Sequence, residues 1–299
     1  MAGKSGRTIS ATPENSVKKN IFSWEGILVL IFIADLILCR GLSGNYTITN
    51  VLREMPKYLC EIFLFLPMAY ILLIGEIDIS VGSIVCLAGT VGCIVSNSGA
   101  PFGVVVLAIL LTGTACGIVN GIIITQFPEL PSMIVTLGTQ IIYRGIAEIV
   151  LGSGGSISLS DTAGFKSIAG KIGPFPYIFF LVIIAAVIFA FVSMKTTYGR
   201  SLYAVGSNRR TALYSGIKVK NVILSAYTLM GLFSGVAALF LTAVTYGANT
   251  TTGKNFEMDA IAMAVFGGIA TTGGKGRLVG GIISAFIIVC LRIGLGQIN

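Results

Sequence analysis

The sequence predicts an all-α bundle of about nine or ten membrane-spanning helices in one domain. Hydrophobic residues make up 55% of the 299 positions and charged residues only 11%, against about 25% charged in an average soluble domain. Glycine is frequent, with 38 residues, and small residues let membrane helices approach closely. Apolar runs long enough to cross a bilayer recur along the whole chain.

The apolar runs define nine candidate spans. They lie at 24–40, 58–75, 81–97, 102–125, 132–151, 176–194, 221–246, 258–272 and 278–298. The run at 258–272 is short enough for a re-entrant segment. Residues 1–20 are polar and predict a disordered cytoplasmic tail, which leaves 21–299 as the transmembrane domain. No cleaved signal peptide is predicted, because the apolar run after Ile21 continues into a span.

Basic loop residues predict the orientation. The segment 195–220 contains six Lys and Arg residues and no Asp or Glu. Short loops rich in Lys and Arg stay in the cytoplasm. With six spans before this segment, we expect it and the N-terminus to face the cytoplasm. The net charge of +8 is therefore assigned to membrane topology and not to a nucleic-acid partner.

Composition also bounds the chemistry. The chain has no histidine, which excludes imidazole base catalysis and His-ligated metal sites. Its six cysteines form no CxxC pair and are predicted to be buried thiols. The glycines around Lys275 fit neither the phosphate loop nor the dinucleotide pattern. We therefore expect no catalytic residue, no metal and no cofactor. Three classes of membrane protein remain: a transporter subunit, a secondary transporter or facilitator, and a membrane enzyme. The sequence shows no acid–base cluster, which disfavours the membrane enzyme.

The segment 75–83, with sequence GEIDISVGS, carries the first polar motif. Its carboxylates Glu76 and Asp78 stand between two apolar runs, where buried charge should line water or meet a partner. Flanking glycines favour a break in the helix that exposes backbone groups to a cavity. The alternative is an ordinary cytoplasmic loop in which Asp or Ser caps the next helix. Spacing alone does not separate these two interpretations.

The basic segment 198–217 carries the second motif. Its small residues and charge suit a surface that docks on a soluble partner, but charge alone favours a topological anchor with no partner. A third motif spans 256–276.

In span five, Arg144 and Glu148 have the i, i+4 spacing of a structural ion pair. The small residues around Asn120, from Gly113 to Gly121, predict tight helix packing.

Taken together, these motifs resemble the permeases of bacterial ATP-binding-cassette importers for ribose, xylose, arabinose, rhamnose and the autoinducer sugar. The matching pieces are 76–83, 131–139, 143–147, 198–217 and 257–276. Segments 75–80 and 137–145 are most similar to the rhamnose and autoinducer permeases. Members usually have a further last helix, so this resemblance implies that the last family helix is missing after Asn299.

The resemblance implies a monosaccharide importer in the bacterial inner membrane. The expected partners are a cytoplasmic ATPase dimer, a second permease subunit that is identical or homologous, an extracytoplasmic solute-binding protein and membrane lipid. ATP hydrolysis would occur on the ATPase. The implied substrate path or gate comprises Glu76, Asp78, Ser80, Asn120 and Arg144. The implied ATPase-coupling residues are Gly199, Arg200, Ala204, Gly206, Asn208, Ala212 and Gly216.

Overall fold

The computed structural model describes residues 24–44 and 46–297, so the predicted tail at 1–20 lies outside the described residues. The described part is a helix bundle, which confirms the predicted all-α class. Its helices are α1 (Trp24–Leu42), α2 (Ile48–Leu73), α3 (Val81–Asn97), α4 (Phe102–Gln126), α5 (Ser132–Leu151), α6 (Ala163–Ile168), α7 (Tyr177–Lys195), α8 (Thr197–Ser207), α9 (Arg209–Tyr214), α10 (Val219–Thr245), α11 (Phe256–Phe266) and α12 (Leu278–Gly296).

Six of these helices, namely α2, α4, α5, α7, α10 and α12, are long and apolar enough to cross a membrane. The 17-residue α3 is apolar but shorter. The 19-residue α1 carries Glu25, Asp35 and Arg40. At 11 residues, α11 spans about 16 Å and is too short for a core of about 30 Å. The predicted run at 258–272 therefore extends too far. The helix stops after Phe266 because glycines follow it, among them Gly268 with φ +90°.

Helix α2 forms the centre of the bundle. Every residue of α2 from Leu59 to Leu73 is buried, and α2 contacts α7, α10, α11 and α12. A helix that is apolar on all sides is stable only where neighbouring elements or lipid cover it. The remaining elements are therefore arranged around α2.

The most extensive helix pair joins α4 and α10 through glycines. A Cβ atom on Gly113 or Gly117 would overlap the backbone of α10, and one on Gly231 would overlap the backbone of α4. This close approach confirms the predicted packing role of the small residues before Asn120. It also brings the buried Asn120 side chain into the middle of the bundle.

Four short strands lie outside the helices: β1 (Ser156–Ser158), β2 (Lys171–Ile172), β3 (Phe175–Pro176) and β4 (Gly247–Asn249). They were not predicted. Strand β1 pairs antiparallel with β4, with Ile157 opposite Ala248. Strand β4 also packs on α3, where Cys86 Sγ lies 3.5 Å from Asn249 O. The connection from β4 to α11 is thereby held against α3, next to the first polar motif.

Candidate functional site

A chain of side-chain hydrogen bonds joins three of the predicted path residues. Ser80 donates to Asp78 Oδ1 through both its backbone N–H, at 2.8 Å, and its hydroxyl, at 2.6 Å. Asn120 Nδ2 donates to Ser80 Oγ at 2.8 Å. Tyr143 on α5 lies with its hydroxyl 3.1 Å from Asn120 Oδ1. We call these four residues the Asp78 cluster; Asp78, Ser80 and Asn120 are fully buried.

The connection between α2 and α3 has no regular structure, but neighbouring side chains hold its backbone. Ile77 N donates to Ser132 Oγ and Ile79 N donates to Thr136 Oγ1, each at 3.2 Å. Tyr227 donates its hydroxyl to the carbonyl of Ile77 at 3.3 Å. Irregular backbone inside a membrane bundle requires such partners. The connection is therefore a defined structure that contacts α5 and α10.

Several polar atoms around Gly82 lack a hydrogen-bond partner among the described residues. They are Asp78 Oδ2, Ser83 Oγ and Glu257 Oε2. A Cβ atom on Gly82 would lie 2.5 Å from Glu257 Oε2, so only glycine leaves room for this carboxylate. Burial raises the pKa of Asp78, in the connection outside the helices, to about 6. These unpaired donors and acceptors suit a hydroxyl-rich molecule, because buried polar groups require hydrogen bonds.

Arg144 borders the same region but does not form the predicted pair with Glu148. Among the described residues, no ion pair joins Arg144 to Glu148. Arg144 Nη1 instead donates to Thr250 O at 3.1 Å and to Thr252 O at 2.7 Å. The i, i+4 expectation is wrong because the β4–α11 connection offers carbonyls closer to the guanidinium. Arg144 thus fastens this connection to α5.

Sequence reasoning assigned no path role to Gln140, Tyr143 or Glu257. Gln140 Nε2 lies 3.4 Å from Glu257 Oε1, across the gap between α5 and α11. One signal was present: Thr136, Gln140 and Arg144 repeat every four residues and therefore share a face of α5.

Glu76 lies apart from the Asp78 cluster. It is 7% exposed and forms an ion pair with Arg209 at the start of α9. Burial lowers the pKa of Arg209 below its usual range. The predicted gate segment and the predicted coupling segment are therefore in direct contact. Residues 75–80 contain both the ion-paired Glu76 and, two residues later, the buried Asp78.

Only some of the predicted coupling residues face outward. Arg200, Asn208 and Gly216 are exposed, Ala204 is half-buried, and Gly199 and Ala212 are buried. Gly206 packs inward: a Cβ atom there would overlap Leu73 O and the backbone N–H of Gly274. Gly199 and Gly206 are thus required for packing within the permease, whereas Gly216 has no neighbouring atom within 4 Å of the position that a Cβ would take and is instead favoured by its φ of +82°. Asn208 caps α9 through its side chain, which accepts from Thr211 N at 3.0 Å.

Two apolar residues absent from the predicted coupling set dominate the exposed surface of α9. Leu213 is 61% exposed and Tyr214 is 90% exposed. An exposed aromatic side chain is a common anchor at protein interfaces. The signal available in the sequence was an apolar Leu-Tyr pair inside an otherwise basic loop.

A second group of charges links three helices. Arg292 Nη1 on α12 lies 2.7 Å from Glu61 Oε1 on α2 and 3.0 Å from Asp259 Oδ2 on α11. The Glu61 side chain is only 2% exposed. We call these three residues the Arg292 cluster. The predictions did not include it, since its members are far apart in the sequence.

The described residues hold no group of three or more His, Cys, Asp or Glu side chains arranged to bind a metal. All six cysteines are free and buried, which confirms the prediction for the thiols.

Comparison with known proteins identifies the lineage. The family model described as the permease component of branched-chain amino acid transport systems matches residues 60–299. The ribose import permease protein RbsC of Bacillus subtilis is 33% identical over 291 residues, which cover 95% of this chain and 87% of that protein. The autoinducer 2 import system permease protein LsrD of Escherichia coli K12 is 29% identical over 283 residues, covering 92% and 84%. No solved structure matches. The chain therefore belongs to this family of multi-pass transport permeases.

Proposed function

We propose that this chain is the membrane permease of an ATP-driven importer that moves a monosaccharide or a sugar-like solute across the bacterial inner membrane. Two features support a sugar over a branched-chain amino acid. The relatives that cover most of the chain are named for ribose and autoinducer 2 import. The unpaired atoms of Asp78, Ser83 and Glu257 also offer several hydrogen-bonding groups, which match the hydroxyls of a sugar.

We further propose that the N-terminus faces the cytoplasm, where an ATPase dimer docks on the permease. An extracytoplasmic solute-binding protein delivers the solute on the other side. A second permease subunit, identical or homologous, packs against α5, whose Ile141 and Ile149 are 68% and 80% exposed. Because Gln140 and Arg144 are half-buried on the same helix, the solute path borders this contact.

The observation that carries the proposal is the contact between the gate and coupling segments. Glu76 pairs with Arg209, and Gly206 packs on Leu73 and Gly274. A displacement of α8 and α9 by the ATPase must therefore move the residues that precede Asp78. The permease contributes different affinities for the solute in two conformations, and ATP binding and hydrolysis shift the population between them.

Transport by reconstituted vesicles tests the function. Vesicles with permease, ATPase and binding protein should accumulate a labelled monosaccharide only when ATP is supplied. The matched samples lack the ATPase or replace the sugar with leucine. Sugar uptake without the ATPase would overturn the proposal in favour of a facilitator, and ATP-dependent uptake of leucine alone would overturn the substrate class.

Tyr214→Ala tests the coupling surface. Removing this exposed anchor should reduce copurification of the ATPase about tenfold or more, since interface anchors contribute about 2 kcal/mol. The melting temperature of the permease alone should not change. Gly206→Ala is the comparison variant, and it should lower that melting temperature because the inward Cβ atom meets backbone. Normal copurification and ATPase stimulation with Tyr214→Ala would remove α9 from the coupling role.

A further inference from the structure

A groove of about 390 Å³ lies between the ends of α4 and α10, at the level where both helices meet the loop that contains α9. Its lining combines apolar and basic side chains: Ile124, Thr125, Pro128, Arg209, Arg210, Leu213, Lys218, Val219, Lys220 and Ile223. We call it the basic groove. The groove shares Leu213 with the exposed surface of α9 and Arg209 with the Glu76 ion pair, and its other lining residues belong to neither.

The charge of the basic groove is one-sided. Four of its lining residues are cationic and none is acidic. Arg209 is neutralised by Glu76. Arg210, Lys218 and Lys220 are exposed and form no ion pair among the described residues. Three uncompensated positive charges therefore surround one small depression and attract an anion.

The floor of the groove is apolar. Ile124 and Ile223 are each 4% exposed, and Val219 and Leu213 extend the same surface. A free inorganic anion makes no favourable contact with such an apolar floor. A molecule with an anionic head and a hydrocarbon chain matches both the basic side chains and the apolar floor. In the proposed orientation, the groove opens at the cytoplasmic face, where α4 ends and α10 begins.

We propose that the basic groove binds one anionic phospholipid of the cytoplasmic leaflet. Its phosphate lies among Arg210, Lys218 and Lys220, and an acyl chain covers Ile124 and Ile223. Basic pockets between helix ends at the cytoplasmic surface are suited to anionic headgroups. The inference rests on the proposed orientation, because the opposite orientation would present the groove to the outer leaflet.

The chain's own N-terminal tail is a poor occupant. It carries Lys4, Arg7, Lys18 and Lys19 against the single acid Glu14, so the three free cations of the groove repel it. The ATPase is the competing macromolecular occupant. The ATPase and the lipid are distinguished by measuring ATPase copurification and lipid binding separately.

Binding is measured on the purified permease alone, by native mass spectrometry and by melting temperature, with phosphatidylglycerol and with phosphatidylcholine of the same acyl chains. Phosphatidylglycerol should bind preferentially and raise the melting temperature. Soluble glycerol phosphate should not reproduce either effect. The triple variant Arg210→Gln/Lys218→Gln/Lys220→Gln should lose about a hundredfold in phosphatidylglycerol affinity, since each basic residue near an anionic surface contributes about fivefold.

The matched control is Lys166→Gln/Lys171→Gln/Lys254→Gln, which removes the same charge from loops at the opposite end of the bundle and should retain phosphatidylglycerol affinity. Equal loss in both triple variants, or equal binding of phosphatidylcholine, would overturn the site. Loss of ATPase copurification with unchanged lipid binding would assign the groove to the ATPase instead.

The orientation has its own readout, which separates failure of the site from failure of the proposed function. A cysteine in place of the exposed Ser215 should react with an impermeant maleimide only from the cytoplasmic side of vesicles. Labelling from outside would overturn the assignment to the cytoplasmic leaflet, even if the lipid still binds.

Discussion

The Asp78 cluster and the Arg292 cluster both bury carboxyl groups inside the bundle, but they stabilise them differently. Asp78 is fully buried and accepts from the amide and hydroxyl of Ser80, with no cation paired to it among the described residues. Glu61 is almost as buried but faces the guanidinium of Arg292, which also lies near Asp259. The ion pairs hold three helices together permanently. Neutral hydrogen bonds leave the Asp78 carboxyl free to exchange partners.

Helix α11 lies between the Arg292 cluster and the residues Gly82 and Gln140. Glu257 and Asp259 are two residues apart in its first turn and point to different sides, because successive residues rotate by about 100° around a helix. Glu257 therefore approaches Gly82 and Gln140, and Asp259 approaches Arg292. Helix α11 therefore contacts an ion-paired cluster on one side and polar groups without a counter-charge on the other.

The largest effect is expected from Arg292→Leu. It leaves the buried Glu61 carboxylate without a counter-charge, and breaking one side of a buried pair costs about 3–5 kcal/mol. The free energy of unfolding in mixed micelles measures this loss. Arg277→Leu is the control, since the Arg277–Glu25 pair is exposed, with N···O at 3.7 Å, and should contribute less than about 1 kcal/mol.

The triple variant Glu61→Gln/Asp259→Asn/Arg292→Gln sharpens this first prediction. It removes every charge of the cluster, so it should recover most of the stability that Arg292→Leu loses. A triple variant as unstable as Arg292→Leu would show that shape, and not charge balance, holds the three helices.

The next effect concerns pH. The pKa of Asp78 is raised to about 6 by burial, so the folded state retains a proton that the unfolded state releases near pH 4. The free energy of unfolding should therefore fall as pH rises from about 4 to 6, by up to about 1.4 kcal/mol per unit, and this contribution should stay constant above pH 6.

Asp78→Asn should abolish that slope while leaving the other titrating groups in place. Its stability should match the wild type at pH 4 and exceed it at pH 7. Parallel pH profiles for the two proteins would mean that Asp78 is not the group responsible.

The smallest expected effect, about tenfold, is on transport. Asp78→Asn retains the acceptor that Ser80 uses but removes the charge, and we expect sugar uptake to fall while the ATPase still copurifies. Asp161→Asn is the matched control, because Asp161 is exposed and its carboxylate accepts from the local Ala163 N at 2.8 Å. Unchanged uptake and ATPase coupling in Asp78→Asn would support the alternative that Asp78 serves as a local cap.

The sequence by itself was enough to establish the membrane class, most of the spans and the tight packing of the small residues of α4, though not their partner α10. Apolar runs such as 102–125 and 176–194 predict helices because backbone groups in lipid must form hydrogen bonds within the segment. Local spacing is sufficient for such statements. The predicted ends are less accurate: α2 begins at Ile48, ten residues before the predicted run at 58–75, and the run at 258–272 extends past the end of α11 at Phe266.

Only the tertiary structure determined which polar residues meet. Glu76 and Asp78 are only two residues apart in the motif, yet one pairs with Arg209 and the other accepts from Ser80. Arg144 contacts carbonyls more than 100 residues away instead of Glu148. The Arg292 cluster joins residues 61, 259 and 292. Such contacts depend on how whole helices rotate and cross, and this depends on the packing of many side chains, which no local pattern contains.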